Sequence, residues 1–197
     1  MPKIVDHNQR REQIAEAVWR IIRRDGLEAV SVRSVANEAG ISLGSLRHYF
    51  DTQSELLAFS MRLMSERVNY RIKNLPFSGD PRHDIGLVIS ELLPLNGETL
   101  AESEVWLAFM GKTITDETLR TLGREVHDEL YAGFRSVIDL LIQKKMTKEG
   151  IDAEYEAKRL HALVDGLVVH HVNFPERVPK DDLMRIVLAH LDSFIIE

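Results

Sequence analysis

The stretch SVRSVANEAGISLGSLRHYF, residues 31–50, decides the fold. Ser31 is placed to N-cap a short helix that reaches Ala39, where Gly40 stops it. A second short helix begins at Ser42 and ends near Phe50. The linker Gly40-Ile41-Ser42 is too tight for the two helices to lie antiparallel, so the spacing predicts a helix-turn-helix. The apolar positions agree: Val35, Ala36 and Ala39 face inward from the first helix, and Ile41, Leu46 and Phe50 from the second. Ala36 must be small where the helices cross, and Gly40 takes the positive φ that such a turn requires.

What remains on the outside of the second short helix points to function. Ser42, Leu43, Gly44, Ser45, Arg47, His48 and Tyr49 offer hydroxyls, a guanidinium and a notch of small residues, with no acid between Gly40 and Phe50. Such a face suits a polyanion. Arg47 fits bidentate pairing with guanine in a major groove, while Ser42, His48 and Tyr49 suit phosphate oxygens.

Outward from this motif the pattern is helical. Ile14, Val18, Ile21 and Ile22 line one face of a helix from about His7 to Asp25, which Gly26 ends. Thr52 and Glu55 form a capping box that opens a long helix reaching about Asn74. Leu75 to Asp84, with two prolines and a glycine, is expected to be a loop. Five further helices are expected at about 84–95, 98–113, 116–146, 152–173 and 180–196. No stretch alternates as a strand would, so the fold class is all-α, with about nine helices.

A helix of about twenty residues, Gly26-Leu27, the motif at 31–50 and the capped helix after it resemble the N-terminal domain of TetR/AcrR-type transcriptional regulators. LRHYF is similar to the BetI-like branch of that family. The resemblance covers about residues 8–58 and implies a homodimer that binds palindromic operator DNA and responds to a small-molecule effector. It implies a DNA-binding domain at 1–51 and a helical effector-binding and dimerisation domain at 52–197. By position it places backbone contacts at Ser31 and Arg33 and base-facing slots at Leu43, Gly44, Arg47 and His48. Arg47 stands where the family usually has Tyr, and Gln53 where a phosphate-binding Lys is common at the start of the fourth helix.

In the body, the last two helices carry wide apolar arcs. Leu183, Met184, Ile186, Val187, Leu188, Leu191, Phe194 and Ile195 cover about 200°, twice the usual core stripe. The preceding helix adds Leu163 and Leu167, with Gly166 permitting close approach. Two readings fit: a central buried pair in a monomeric bundle, or a dimer interface through Leu163, Gly166, Leu167, Met184, Leu188, Leu191 and Ile195. The resemblance favours the interface. His161, Asp165, His170 and His171 suggest a metal, but at 100° per residue they lie at about 0°, 40°, 180° and 280° and cannot converge on one ion. Only His161 and Asp165 share a face, as an internal hydrogen bond or as a ligand contact. Met61, Met64, Trp106, Phe109 and Met110 are either core or the wall of an adaptable pocket, with Tyr131, Phe134 and the His161/Asp165 pair beside them. No cofactor is expected.

Composition sets the remaining bounds. The chain has 197 residues, 44% of them hydrophobic and 28% charged, which suits a globular fold with a sizeable core. It has no cysteine, which excludes disulfides, thiol catalysis and thiolate metal sites. The net charge of −6 is uneven: residues 1–50 hold 8 Lys and Arg against 6 Asp and Glu, and residues 51–197 hold 17 against 25. A basic head thus sits on an acidic body. No window has the length and apolarity of a membrane span and no signal-peptide core is present, so the chain is expected to be cytoplasmic and free of membranes. Enzyme chemistry is not expected: a helical carboxylate metalloprotein needs Glu-x-x-His, which occurs nowhere here. A helical interaction module without DNA binding is the competing function; the polar Arg47 and His48 speak against it.

Overall fold

A computed structural model describes residues 7–196, with nine α-helices among them: α1 (His7–Asp25), α2 (Val32–Glu38), α3 (Leu43–Arg47), α4 (Gln53–Lys73), α5 (Pro81–Ser90), α6 (Gly97–Thr113), α7 (Glu117–Gln143), α8 (Ala153–Asn173) and α9 (Lys180–Asp192). A single 3₁₀ turn, Leu27–Ala29, separates α1 from α2. None of the described helices is long and apolar enough to cross a membrane.

The ends follow local chemistry. Ser31 accepts from the Ser34 amide at 3.0 Å while the Ser34 hydroxyl accepts from the Ser31 amide at 2.8 Å, a reciprocal box that starts α2. Gly40, at φ 66°, ends it, and the Ile41 amide closes back on the Ala36 carbonyl at 3.0 Å. Ser42 caps α3 by accepting from the Ser45 amide at 3.0 Å. At α4, Glu55 donates its amide to the Thr52 hydroxyl at 3.1 Å and its carboxylate accepts from the Asp51 amide at 2.9 Å.

Several boundaries differ from the sequence expectation. The segment 75–84 is not loop to its end. Asp80 accepts from the Arg82 amide at 3.0 Å and Pro81 opens α5, because a proline at the first helical position forfeits no hydrogen bond. The helix then stops at Ser90 instead of 95. α3 is one turn shorter than predicted, leaving His48 as its C-cap and Tyr49 beyond it. The chain after α9 leaves the helix: Thr147 and Ile195 form an isolated antiparallel bridge, flanked by Lys148 N donating to Phe194 O at 2.9 Å and Ile196 N donating to Met146 O at 2.8 Å.

The chain packs as two compact units. The first contains residues up to Arg67 together with Glu104–Arg124; the second contains Val68–Ser103 and the chain from Glu125 onward. The division by packing thus differs from the functional division expected at 51/52. In the first unit Ile14, Val18, Ile21, Val35, Ala36, Leu46, Leu56 and Phe109 are buried as core. In the second α8 packs on α9 and α9 on α5, around Ile89, Ile138, Leu160, Leu183, Val187 and Leu191.

That packing corrects the apolar arc of α8 and α9. Leu191 is fully buried within the protomer, and Leu167 and Ile195 are buried too, so these three fill the protomer's own core and are not surface. Leu163, Gly166, Met184 and Leu188 stay half-buried. An added Cβ at Gly166 would meet nothing within 4 Å. A mid-helix glycine costs about 1 kcal/mol relative to alanine, and nothing inside the protomer requires this one.

Candidate nucleic-acid interface and effector region

The outer face of the helix-turn-helix is polar. Arg33, Arg47 and His48 are exposed, and among the described residues neither arginine pairs with an acid. Three arginines of α1 are engaged by acids. Arg20 and Arg24 reach Glu38 at 2.9 and 3.0 Å, and Arg23 reaches Glu104 at 2.5 Å. Arg20 and then Arg24 hold the Glu38 carboxyl below the usual carboxylate range, so the acid nearest the motif's turn is neutralised by neighbours. Arg33 and Arg47, the two arginines that the sequence assigns to DNA, have no acid partner among the described residues.

Ser31, Ser42 and Gly44 are exposed, Tyr49 is 37% exposed, and Leu43 and Ser45 are half-buried. A Cβ at Gly44 would meet nothing, so the notch there opens outward. Ser31 and Ser42 are spent first as helix caps, which leaves the Ser42 hydroxyl proton for a phosphate oxygen while Ser31 donates its own to the Ser34 hydroxyl at 3.0 Å. Gln53 departs from its expected role. Its Nε2 donates to the carbonyls of Val30 at 2.7 Å and Leu27 at 3.4 Å, so the amide ties the start of α4 to the turn before α2 instead of standing ready for phosphate. No local signal points to this partner 23 positions away. Another contact it missed is the ring of Phe50 against Phe59 at 4.8 Å, with Arg11 over the Phe59 face at 5.0 Å, which seats the end of the motif on α4.

The candidate effector residues fall in both units. In the first, Met61, Met64 and Phe109 are buried, Trp106 is half-buried and stacked on Phe109 at 5.9 Å, and Met110 is exposed and so lies off the inward face predicted for it. In the second, Phe134 is buried and Tyr131 half-buried. The buried His161 ring lies between the rings of His127 at 4.8 Å and Phe134 at 4.9 Å, with its Nε2 3.5 Å from the half-exposed Asp165 carboxylate. The i, i+4 pair thus forms as the spacing requires. Met184 and Leu188 also line an open groove of about 370 Å³ between α5 and α9, with Arg82, His83, Gly86 and Leu87.

Burial pushes the His161 imidazole below its ordinary value, against the pull of Asp165 and with a further push from His127. The unfolded chain, titrating near pH 6.5, therefore takes up its proton first. Stability from this group is whole above that value and is lost as the pH falls from about 6.5 toward the folded-state value, by at most about 1.4 kcal/mol per pH unit. Urea unfolding between pH 8 and pH 5 is expected to show His161→Phe losing less stability than wild type over that window. Parallel curves for the two proteins would refute the assignment.

Residues 14–58 match the family described as bacterial regulatory proteins, tetR family, and residues 81–196 match the BetI-type transcriptional repressor C-terminal family. The chain is 43% identical over 198 residues to the HTH-type transcriptional regulator PksA of Bacillus subtilis (strain 168), covering all of this chain and 95% of that one. A transcriptional regulator from Rhodococcus sp. Rha1 shares the fold with a TM-score of 0.81 and 30% identity, over 95% of this chain and 98% of that one. A regulator from Saccharomonospora viridis, solved in complex with choline, superposes with a TM-score of 0.83 at 22% identity, over 96% of this chain and all of that one. With the helix-turn-helix geometry and two family matches that together span most of the described residues, the chain belongs to the TetR family of bacterial transcriptional regulators, with a BetI-type C-terminal part.

Proposed function

We propose that this regulator binds a palindromic operator as a homodimer and is released from it by a small-molecule effector, with residues 1–51 reading DNA and residues 52–197 supplying effector binding and dimerisation. The observation that carries the DNA reading is the exposed, acid-free face of α3, on which Arg47 has no acid partner among the described residues. Arg47 and His48 read base edges beside the notch at Gly44; Arg33 and the Ser42 hydroxyl hold phosphates. Two such faces on a two-fold axis meet successive major grooves about 34 Å apart. Leu163, Gly166, Met184 and Leu188 are the residues of α8 and α9 assigned to the dimer seam, supported by their incomplete burial and by a glycine with no internal reason to be one.

For the effector, the support is two separate sets of residues, one in each unit: the aromatic faces and thioethers of Trp106, Phe109, Met61 and Met64 in the first, and the ring stack at His161 beside the Asp165 carboxylate in the second. Apolar walls with few polar anchors and a carboxylate favour a small cation or a largely hydrophobic molecule. Because a fold neighbour holds choline, choline chloride is the first compound to try. Only a ligand that binds DNA-free and DNA-bound protein with different affinity can release the operator. Trp106 emission, followed in a Trp19→Phe background while choline chloride is added, is expected to give a weaker apparent affinity when operator duplex is present. Equal affinities with and without operator would remove regulation from the reading; absence of any emission change across a panel of quaternary ammonium and aromatic compounds would remove the effector site.

A further inference from the structure

The first turn of α4 sits in a closed ring of polar contacts inside the first unit. Gln53 holds the carbonyls of Val30 and Leu27, as described. The next residue, Ser54, donates its hydroxyl to Asp116 Oδ2 at 2.5 Å, across 62 positions of sequence. Asp116 stands in the corner between α6 and α7, where its other oxygen accepts from the Leu119 amide at 3.1 Å. At the end of α6, Lys112 Nζ reaches Glu28 at 2.9 Å, and Glu28 belongs to the same 3₁₀ turn that Gln53 holds by its carbonyls. The ring therefore joins the turn ahead of α2, the start of α4 and the α6–α7 corner.

Its members are unequal. The Glu28 side chain is 81% exposed, so its pair with Lys112 is screened and contributes little. The Ser54 bond is partly buried and charge-assisted, and it is the leading reason that the Asp116 carboxyl lies below the usual carboxylate range. None of these residues belongs to α3.

We infer that Ser54 and Asp116 are positioning residues for operator binding: their hydrogen bond fixes the first turn of α4 and, through Gln53 beside it, the turn from which α2 starts, so that α2 and α3 meet DNA already set. The inference rests on the reading that α2 and α3 contact DNA.

The probe is the duplex that wild-type protein selects from a random-sequence library, labelled and titrated by fluorescence anisotropy at several salt concentrations. Ser54→Ala removes the donor and leaves the Asp116 cap of α7 in place. It is expected to weaken binding by roughly ten- to 150-fold, the range for losing one charge-assisted hydrogen bond. The salt slope stays at the wild-type value because the number of phosphate contacts is unchanged. Ser54→Thr keeps the hydroxyl and restores wild-type affinity. Combining Ser54→Ala with Asp116→Asn is expected to be no worse than the weaker single variant, since the two act as one unit. Wild-type affinity in Ser54→Ala overturns the inference. So does a slope lowered by about one, which would make Ser54 itself a phosphate contact. If Ser54→Ala lost its helical circular dichroism, Asp116→Asn would decide alone, and wild-type affinity there would overturn the inference. A wild-type protein that selects no duplex overturns the DNA reading before any variant is made, so the two failures are distinct.

Discussion

Leu188→Glu is expected to give a folded monomer that no longer holds operator DNA, whereas Leu191→Glu, three residues on, is expected to prevent folding. Both leucines belong to the apolar arc of α9, yet their surroundings differ. Leu191 is fully buried in the protomer's own core, where a carboxylate has no partner and no water. Leu188 is only half-buried and lies one turn after the half-buried Met184 on the same face. A glutamate there faces water in the separated protomer. In the proposed dimer it is forced into an apolar seam twice, once from each copy, and each copy is penalised by burying an unpaired charge. Separation then removes the link between two half-site readers, which lowers operator affinity by roughly 10²- to 10⁴-fold. Sedimentation velocity with circular dichroism separates the outcomes: a helical, half-mass Leu188→Glu supports the seam. Wild-type protein that sediments as a monomer at micromolar concentration, or a Leu188→Glu that stays dimeric, rules it out.

That contrast also marks where sequence periodicity stops being informative. An arc of 200° on α9 says that two faces are apolar; it does not say which face the protomer itself covers. Leu191 is internal because α9 packs on α8 and α5, and Ile195 because the chain after α9 folds back onto residues 146–148, a pairing between segments nearly fifty positions apart. The head was far more legible, since its decisive signals are local. Ser31 with Ser34, Gly40, and Thr52 with Glu55 each act within a few residues, and each forms the cap or turn its chemistry requires. Gln53 and Ser54 show the opposite case. Read along the chain they are polar residues near a helix start where a phosphate contact is expected. In space their partners are Val30 and Asp116, 23 and 62 positions away. The start of α5 lies between these cases: Asp80-Pro81 is itself a helix-opening pair, but its position among loop-forming residues outweighed that signal. Met110, expected with Trp106 and Phe109 as core or pocket wall, is exposed because the buried stripe of α6 runs through Val105 and Phe109.

Arg47→Ala is expected to weaken binding to the selected operator by about 1–3 kcal/mol, roughly five- to 150-fold, and to relax the preference at one base position of each half-site. The argument is one of elimination by geometry. Arg20, Arg23 and Arg24 spend their guanidinium groups on Glu38 and Glu104, and Arg11 lies over Phe59, so none of these is poised as a free fork on the recognition face. Arg47 occupies the last turn of α3, exposed and without an acid partner, next to the outward notch at Gly44 that lets the helix approach closely. A guanidinium so placed reads guanine through two parallel hydrogen bonds, and the loss is then confined to duplexes carrying that guanine. Arg33→Ala supplies the contrast. It removes a charge from the start of α2, weakens every duplex by a similar factor and lowers the salt slope by about one. Anisotropy competition with single-base variants of the operator, run at two salt concentrations, distinguishes the two patterns. If Arg47→Ala instead loses the same factor on every duplex and flattens the salt dependence, Arg47 holds phosphate, and base selection passes to Leu43, Gly44 and His48 on the same face.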